Sequence, residues 1–329
     1  MDKDTQVTLH RRKTAQDDRM TTSGRAEDII WQFKALPSDC ARQGSYSGNC
    51  RLGGTAMNEN DNQERTTEVR LSCWEEFEER ASAFDDPKRK LWDEVWFRGQ
   101  ADAQWPLLTT LERRFKKVST VAMYLSLITE IKPAIETFTG AEFQMPKRPE
   151  IEERCRQYDL FHLFLFDLIT YMAHLRHGAF PSPLLDWTGS PYVAAYFAFS
   201  RAKQNDGEVA IFAYRERPAN MKIGGSDSPF IFTFGPLIKT HNRHFRQQSR
   251  YTICSKFDNG EWVFTPHESV YGAKDHLQQD LLWKMTIPVT ERQKVLRQFD
   301  KFNLNEFTLF ASEEGLLEML AMRVIDMRA

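Results

Sequence analysis

The chain lacks most of what would place it in an oxidising compartment, in a membrane or in the large mononucleotide-binding enzyme classes. Its 329 residues hold five cysteines: Cys40, Cys50, Cys73, Cys155 and Cys254. They are odd in number, widely spread and without a CxxC pair. That argues against a disulfide framework and against a structural zinc site. No apolar run reaches the length of a membrane span, because the longest, Leu160 to Met172, is interrupted by His162 and Asp167. The first residues carry no signal-peptide apolar segment. Together these absences read as a cytoplasmic protein without membrane association. The net charge is −2, which removes any global pull toward nucleic acid or anionic lipid and leaves only local patches to consider. There is no GxGxxG, GxxxxGK, HExxH or GxSxG motif. No clear cluster of carboxylates suggests a metal-dependent phosphoester enzyme.

What is present is an aromatic load of 24 Phe and 8 Trp, consistent with a packed globule. The length allows one large domain or two smaller ones. Residues 1–68 are polar and rich in Ser, Thr, Asn and Gly, and are expected to be mostly disordered. Residues 69–329 are expected to form a single domain. Ser72 with Glu75 predicts a capping box ahead of a helix bearing Trp74, Phe77 and Ala81 on one face. Glu94 to Gln100 predicts a strand ending at a glycine. A helical region follows, broken at Pro133 and Gly140. From Ile151 to Arg176 the pattern predicts one long amphipathic core helix, with Gly178 as its left-handed cap. Pro191 to Ala202 predicts a helix with proline in its first turn, after which Asn205 to Gly207 reads as a turn. Strands are expected at 208–214, 229–234, 251–257, 262–265 and 282–287, then helices from Val289 onward. Helices, then strands, then helices favour an α+β fold, with small mixed or antiparallel sheets packed against several helices.

Three places carry residues suited to chemistry. Arg98 closes a predicted strand just before Gly99 and Gln100. Its planar guanidinium can grip a phosphate or carboxylate through two contacts, and Gly99 would let a ligand approach the backbone. The alternative is a salt-bridged arginine at a strand end. The second place is HGAFPSPLLDWTGSPYVAAYFAFS, residues 177–200, which sets His177, Asp186, Trp187 and Thr188 between a proline-marked turn and an apolar helix. The leucines before Asp186 imply partial burial, so its carboxylate needs a cation or backbone N–H groups. Asp186 or Thr188 could instead cap the following helix, Trp187 could belong to the core, and His177 could cap its own helix as a cation. The third place is the basic run Arg243 to Arg250, where Arg246, Gln247 and Gln248 precede a strand and can face a phosphate, a ribose or a base edge.

The segments WFRGQ (96–100), HG…LLDWT (177–188) and AAYFA (194–198), with Arg246-Gln247-Gln248 and Phe307-Thr308-Leu309-Phe310 further on, resemble the FRG domain, named for its Phe-Arg-Gly signature. The resemblance covers about 70–329. The family usually reads QHxGxPTRLLDWT. Here the run is one residue longer between glycine and proline, and Ser182-Pro183 stands where Thr-Arg is usual. Ser249 replaces the usual glycine after the paired glutamines. If the family's arginine contacts ligand, either Arg176 or Arg246 replaces it or the choice of ligand has shifted. The layout is similar to that of ADP-ribosyltransferases. That similarity implies an NAD-consuming toxin or anti-phage defence effector with NAD as substrate and a protein or nucleic-acid acceptor. Arg98, Gly99, Gln100, Trp187, Thr188 and Arg246 would bind the nucleotide. His177 would orient it, Gln248 would stand where transferases place a glutamate, and Asp186 or Glu208 would stabilise positive charge developing on the ribose. The other implication is a non-catalytic nucleotide- or nucleic-acid-binding module.

Overall fold

Six consecutive buried residues, Val209 to Tyr214, form the centre of strand β4 (Glu208–Arg215). A strand apolar on both faces must be covered on both faces, and the fold is built around this requirement. The computed structural model describes residues 65–86, 93–115, 117–156, 167–203, 207–217, 222, 224, 228–236, 238–271 and 279–327, all within the unit Asn58–Ala329. In chain order the other strands are β1 (Thr66–Arg70), β2 (Val95–Gln100), β3 (Leu185–Thr188), β5 (Phe230–Phe234), β6 (Ser249–Asp258), β7 (Glu261–Phe264) and β8 (Leu281–Pro288). They form one eight-stranded sheet in the order β1-β8-β4-β2-β3-β6-β5, with β7 paired to β6. Only β1 and β8 run parallel.

The fold is therefore mixed α and β, as the pattern implies, but with a single sheet in place of several small ones. The reason is that β2, β3, β4, β6 and β8 each pair along both edges. The helices are α1 (Trp74–Ala83), α2 (Thr110–Arg114), α3 (Val121–Thr139), α4 (Arg148–Arg156), α5 (Asp167–His177), α6 (Pro191–Ser200), α7 (Asn242–Arg246), α8 (Glu268–Tyr271), α9 (Arg292–Lys301), α10 (Glu306–Phe310) and α11 (Glu313–Ala321). Among the described residues no helix is long and apolar enough to cross a membrane.

Helix α6 is apolar almost all round, which commits it to burial. It lies on the face of β2 that carries Val95 and Phe97, together with α1 and α9, around Trp74, Phe77, Phe199 and Phe299. Removing a fully buried aromatic such as Trp74 costs about 3–5 kcal/mol. A second cluster joins α3, α4 and α5 to β5, β6 and β7. A third, on the opposite face of the sheet, holds Trp96, Trp187, Tyr214 and Tyr271.

Several local expectations move. The capping box expected of Ser72 and Glu75 does not form: α1 (Trp74–Ala83) has Cys73 at its N-cap without a side-chain cap bond, and Ser72 donates to the Glu76 carboxylate from its backbone N–H at 2.9 Å and its hydroxyl at 2.6 Å. Pro133 sits inside α3, which ends only at Gly140 with φ 68°. The long helix expected from 151 to 176 is described as α4 and α5. Residues 157–166, including Phe161, Phe164 and Leu165, lie outside the described residues, as do 204–206 of the expected turn. The left-handed residue after α5 is Ala179 (φ 66°), not Gly178. Phe180 N–H reaches Leu175 O and Ala179 N–H reaches Arg176 O, the paired bonds of a Schellman ending. Strands β1 and β3 were not expected. The first starts inside the segment read as disordered. The second is four residues long and reads as a turn because prolines and an acid surround it.

Candidate functional site

Strands β2 and β3 share one ladder pair, Phe97 opposite Thr188. Above it Arg98 donates from Nη1 to the main-chain oxygen of Asp186 at 2.6 Å. The Asp186 carboxylate turns instead to Arg176, on the last turn of α5, whose Nη2 lies 2.5 Å from Oδ2. The Schellman turn directs Arg176 and His177 back over β3. Arg113, an exposed residue of α2, completes the group. Its pKa is lowered, first by loss of solvent and then by the nearby Arg176 charge, with Asp186 opposing.

Helix α2 is held against the β3 approach by Ser182. The backbone N–H of Ser182 donates to Thr110 Oγ1 at 3.0 Å, and its carbonyl accepts the Leu111 N–H at 3.1 Å. Three guanidinium groups thus lie near Asp186: Arg176 on its carboxylate, Arg98 on its carbonyl, and Arg113 near enough for its charge to be felt. Burial brings the pKa of Arg98 down to about 10, with Asp186 opposing and Arg176 and Arg113 adding to the fall. It remains a cation at neutral pH. The Nε atoms of Arg98 and Arg176 are buried and meet no acceptor among the described residues. The arrangement has surplus positive charge and N–H donors, the inventory that an oxyanion satisfies.

His177 is half-buried. Its Nε2 lies 2.8 Å from the Tyr251 hydroxyl, which is also 3.1 Å from Nδ1 of His244. Burial pushes its pKa down to about 4, against the pull of Asp186. It is therefore a neutral imidazole at pH 7, not the cationic helix cap. Tyr251 stands directly opposite Asp186 on β6, so both residues occupy the same face of the sheet.

The other expected site residues lie elsewhere. What comes close to Gly99 is α6: a Cβ there would sit 1.9 Å from Ala194 O. Gln100 is buried and donates to Pro106 O. Trp187 is 3% exposed, packs on Tyr214 with ring centroids 5.3 Å apart, and donates to Thr252 Oγ1. It supports β3 from within the core, away from any solvent-facing ligand. Thr188 is buried and accepts the Ser190 N–H, while Ser190 supplies the cap of α6. Neither Asp186 nor Thr188 caps that helix.

Glu208, on β4, is paired with Arg70 at 2.5 Å toward the β1 side, with β2 between it and Asp186. Arg246 is exposed and donates to Thr308 O on α10. Gln248 (φ 48°) follows α7, and its carbonyl accepts the Gly189 N–H. Its side chain gathers over Gly189 with Glu94 and Arg250, at the far end of β3 from Asp186.

The sequence reading brought Arg98, Asp186 and His177 to one place, with Arg176 as the available substitute arginine. It missed Arg113, Tyr251 and His244. It also missed Glu94, which holds Arg250 at 2.7 Å and accepts from Trp96 Nε1 at 2.9 Å. The one available signal was alternation: Tyr251 shares the inward parity of Ile253 along a strand whose pairing to β3 was not foreseen.

No curated protein and no solved structure matches the chain. The similarity to ADP-ribosyltransferases therefore rests on the sequence layout alone. The segment containing β2, α5, β3 and α6, and with them Arg98, Arg176, His177 and Asp186, is the part in which a family is recognised: residues 93–207 match the family model of the FRG domain.

Proposed function

We propose that the arginines around Asp186 bind the phosphates of a nucleotide, that this nucleotide is NAD, and that the protein cleaves it in the manner of an ADP-ribosyltransferase. The observation that carries the reading is that three arginines surround Asp186: Arg176 on its carboxylate, Arg98 on its carbonyl, and Arg113 near enough for its charge to be felt. Planar guanidinium groups with unmet N–H donors suit a diphosphate. Asp186 is the carboxylate at hand to stabilise oxocarbenium-like charge on the ribose. Transfer of ADP-ribose to a protein or nucleic acid, or plain depletion of NAD, would give the toxin or anti-phage effector role that the FRG resemblance implies.

One observation favours a second reading, a nucleotide-binding module without chemistry. The Asp186 carboxylate is already engaged by Arg176, and Gln248, which carries no charge, stands apart from it.

The deciding measurement uses purified full-length protein with NAD, ADP-ribose and ATP. Calorimetry reports binding, and nicotinamide release reports cleavage. NAD cleavage that Arg98→Ala abolishes in a folded protein supports the transferase. Arg98-dependent binding without cleavage, with or without cell lysate as acceptor, supports the module. No binding by any of the three sinks both.

A further inference from the structure

Two short helices flank the last turn of α5, and both are basic. Helix α2 is fastened to the approach of β3 through Ser182, whose N–H meets Thr110 Oγ1 at 3.0 Å and whose carbonyl accepts the Leu111 N–H at 3.1 Å. Helix α7 is fastened through Tyr251, whose hydroxyl lies 3.1 Å from His244 Nδ1 and 2.8 Å from His177 Nε2. The first carries Arg113 and Arg114, with Lys117 just beyond, all exposed. The second carries half-buried Arg243 and exposed Arg246, with exposed Lys239 just before it. Among the described residues none of these cations is in an ion pair, whereas Arg201, Arg215, Arg250 and Arg323 are each held by an acid. The acids close by are engaged or peripheral. Glu112 accepts the Thr109 N–H in the cap of α2, Asp186 is held by Arg176, and Glu314 feels the Arg243 charge from α11. In a chain of net charge −2 this is a local excess of positive charge.

Each basic segment also spends a phenylalanine on solvent. Phe115, directly after α2, is 50% exposed, and Phe245, on α7, is 64% exposed. Neither belongs to a hydrophobic cluster of the fold. Both are held in place. The Phe245 ring stands at 90° to His244 with centroids 5.3 Å apart, and the Val118 N–H closes a turn on Phe115 O at 3.0 Å. Unpaired cations suit phosphates, and exposed aromatic faces suit unpaired bases. A duplex offers the phosphates but hides its base faces. An acidic polypeptide offers charge but no bases. We propose that α2 with Phe115 and Lys117, and α7 with Lys239, form a surface that binds single-stranded nucleic acid. The strand's phosphates lie on the arginines and lysines, and its bases stack on Phe115 and Phe245. This goes beyond the nucleotide reading and does not rest on it, because Arg114, Phe115, Lys117, Lys239 and Phe245 stand outside the group around Asp186.

Fluorescence anisotropy tests this with full-length protein, no NAD, and short labelled DNA and RNA strands of mixed sequence beside the matching duplexes. A single strand should bind more tightly than its duplex. Its log affinity should fall against log salt with a slope of about −3. Arg114→Glu combined with Lys117→Glu, and separately Lys239→Glu, should each weaken binding about tenfold and flatten that slope. Phe115→Ala and Phe245→Ala should each weaken it about five- to tenfold with the slope unchanged. All five side chains are exposed, and thermal melts check that each variant keeps its fold.

No strand binding, equal affinity for duplex, or native affinity in the charge-reversed variants overturns the proposal. So does displacement of the strand by poly-glutamate as readily as by unlabelled strand, which would assign the surface to an acidic polypeptide instead. Calorimetry with ADP-ribose keeps the two readings apart. Strand binding without ADP-ribose binding retains this surface and removes the nucleotide reading. ADP-ribose binding without strand binding does the reverse.

Discussion

Arg98 and Asp186 meet through main chain on one side and side chain on the other. The guanidinium donates to the Asp186 carbonyl at 2.6 Å, while the Asp186 carboxylate is held by Arg176 at 2.5 Å. The charge of Arg98 is therefore not spent on a salt bridge with the acid beside it. Arg98→Ala should weaken nucleotide binding at least tenfold, about 1.4 kcal/mol or more. It should also lower stability by about 1–3 kcal/mol, because a part-buried carbonyl loses its donor. Arg98→Lys should restore charge without the fork and recover only part of the affinity. Calorimetry and urea titration of the three proteins separate the two effects. Unchanged affinity in Arg98→Ala would remove Arg98 from the ligand site.

Asp186→Asn isolates the acid from its backbone. The carbonyl that Arg98 uses is untouched, but Arg176 loses its anionic partner. An anionic ligand should bind about three- to tenfold more tightly, and its affinity should become more sensitive to salt as the local charge rises. Nicotinamide release, if Asp186 stabilises the developing cation, should fall despite tighter binding. Weaker binding of ADP-ribose to this variant would contradict the charge argument.

Gly99 separates packing from recognition. A Cβ there meets Ala194 O at 1.9 Å and Ala198 N at 2.8 Å, both backbone atoms of α6. Gly99→Ala should destabilise the protein by about 3 kcal/mol or more. Adding Ala194→Gly should not rescue it, because the obstacle is main chain. Thermal melts of the single and double variants check this. A protein of native stability that merely bound ligand less well would return Gly99 to a direct ligand role.

The pH dependence has a definite sign. His267 is 1% exposed, and burial, followed by the Arg98 and Lys222 charges, lowers its pKa to about 3. Unfolded, it would titrate near 6.5. Between those values the unfolded chain binds the extra proton. The contribution is therefore complete above about pH 6.5 and is lost as pH falls. From pH 7 to pH 5 the loss from this residue should be about 2 kcal/mol. His267→Gln, which can still accept from Thr252, should flatten that part of the curve. Urea titrations at pH 7, 6 and 5 provide the comparison. The same slope in both proteins would rule out His267 as its source.

The parts legible in the sequence were those governed by one stretch of chain. Strand β4 was readable because a strand covered on both faces must be apolar at consecutive positions. Arg98, His177 and Asp186 drew attention because each stands near a glycine, proline or turn in the sequence, and the structure brings Arg98 to the Asp186 main chain and Tyr251, the residue opposite Asp186, to His177. Relationships between distant stretches were not readable. Nothing local pairs β3 with β6, so nothing local places Tyr251 opposite Asp186 or His244 behind Tyr251. Glu208 looked available as an acid because its partner, Arg70, comes from a strand that the polar N-terminal segment concealed. The errors at the start of α1 and at Ala179 have a common cause. Cap geometry depends on where the next element draws the chain, and at Ala179 the two Schellman bonds offset the left-handed cost that favours glycine.

The lone ladder pair between β2 and β3 has a mechanical consequence. Every other neighbouring pair of strands in the sheet's main order is joined by four or more residue pairs, so the sheet is two plates riveted at Phe97 and Thr188. Beyond the rivet, Arg98 is a latch whose catch is a backbone oxygen of the opposite plate. A ligand drawing on the same guanidinium pulls against that catch. Slow amide exchange should therefore divide along this seam, with β4 and β8 protected on one side, β6 on the other, and the least protection at Arg98 and Asp186.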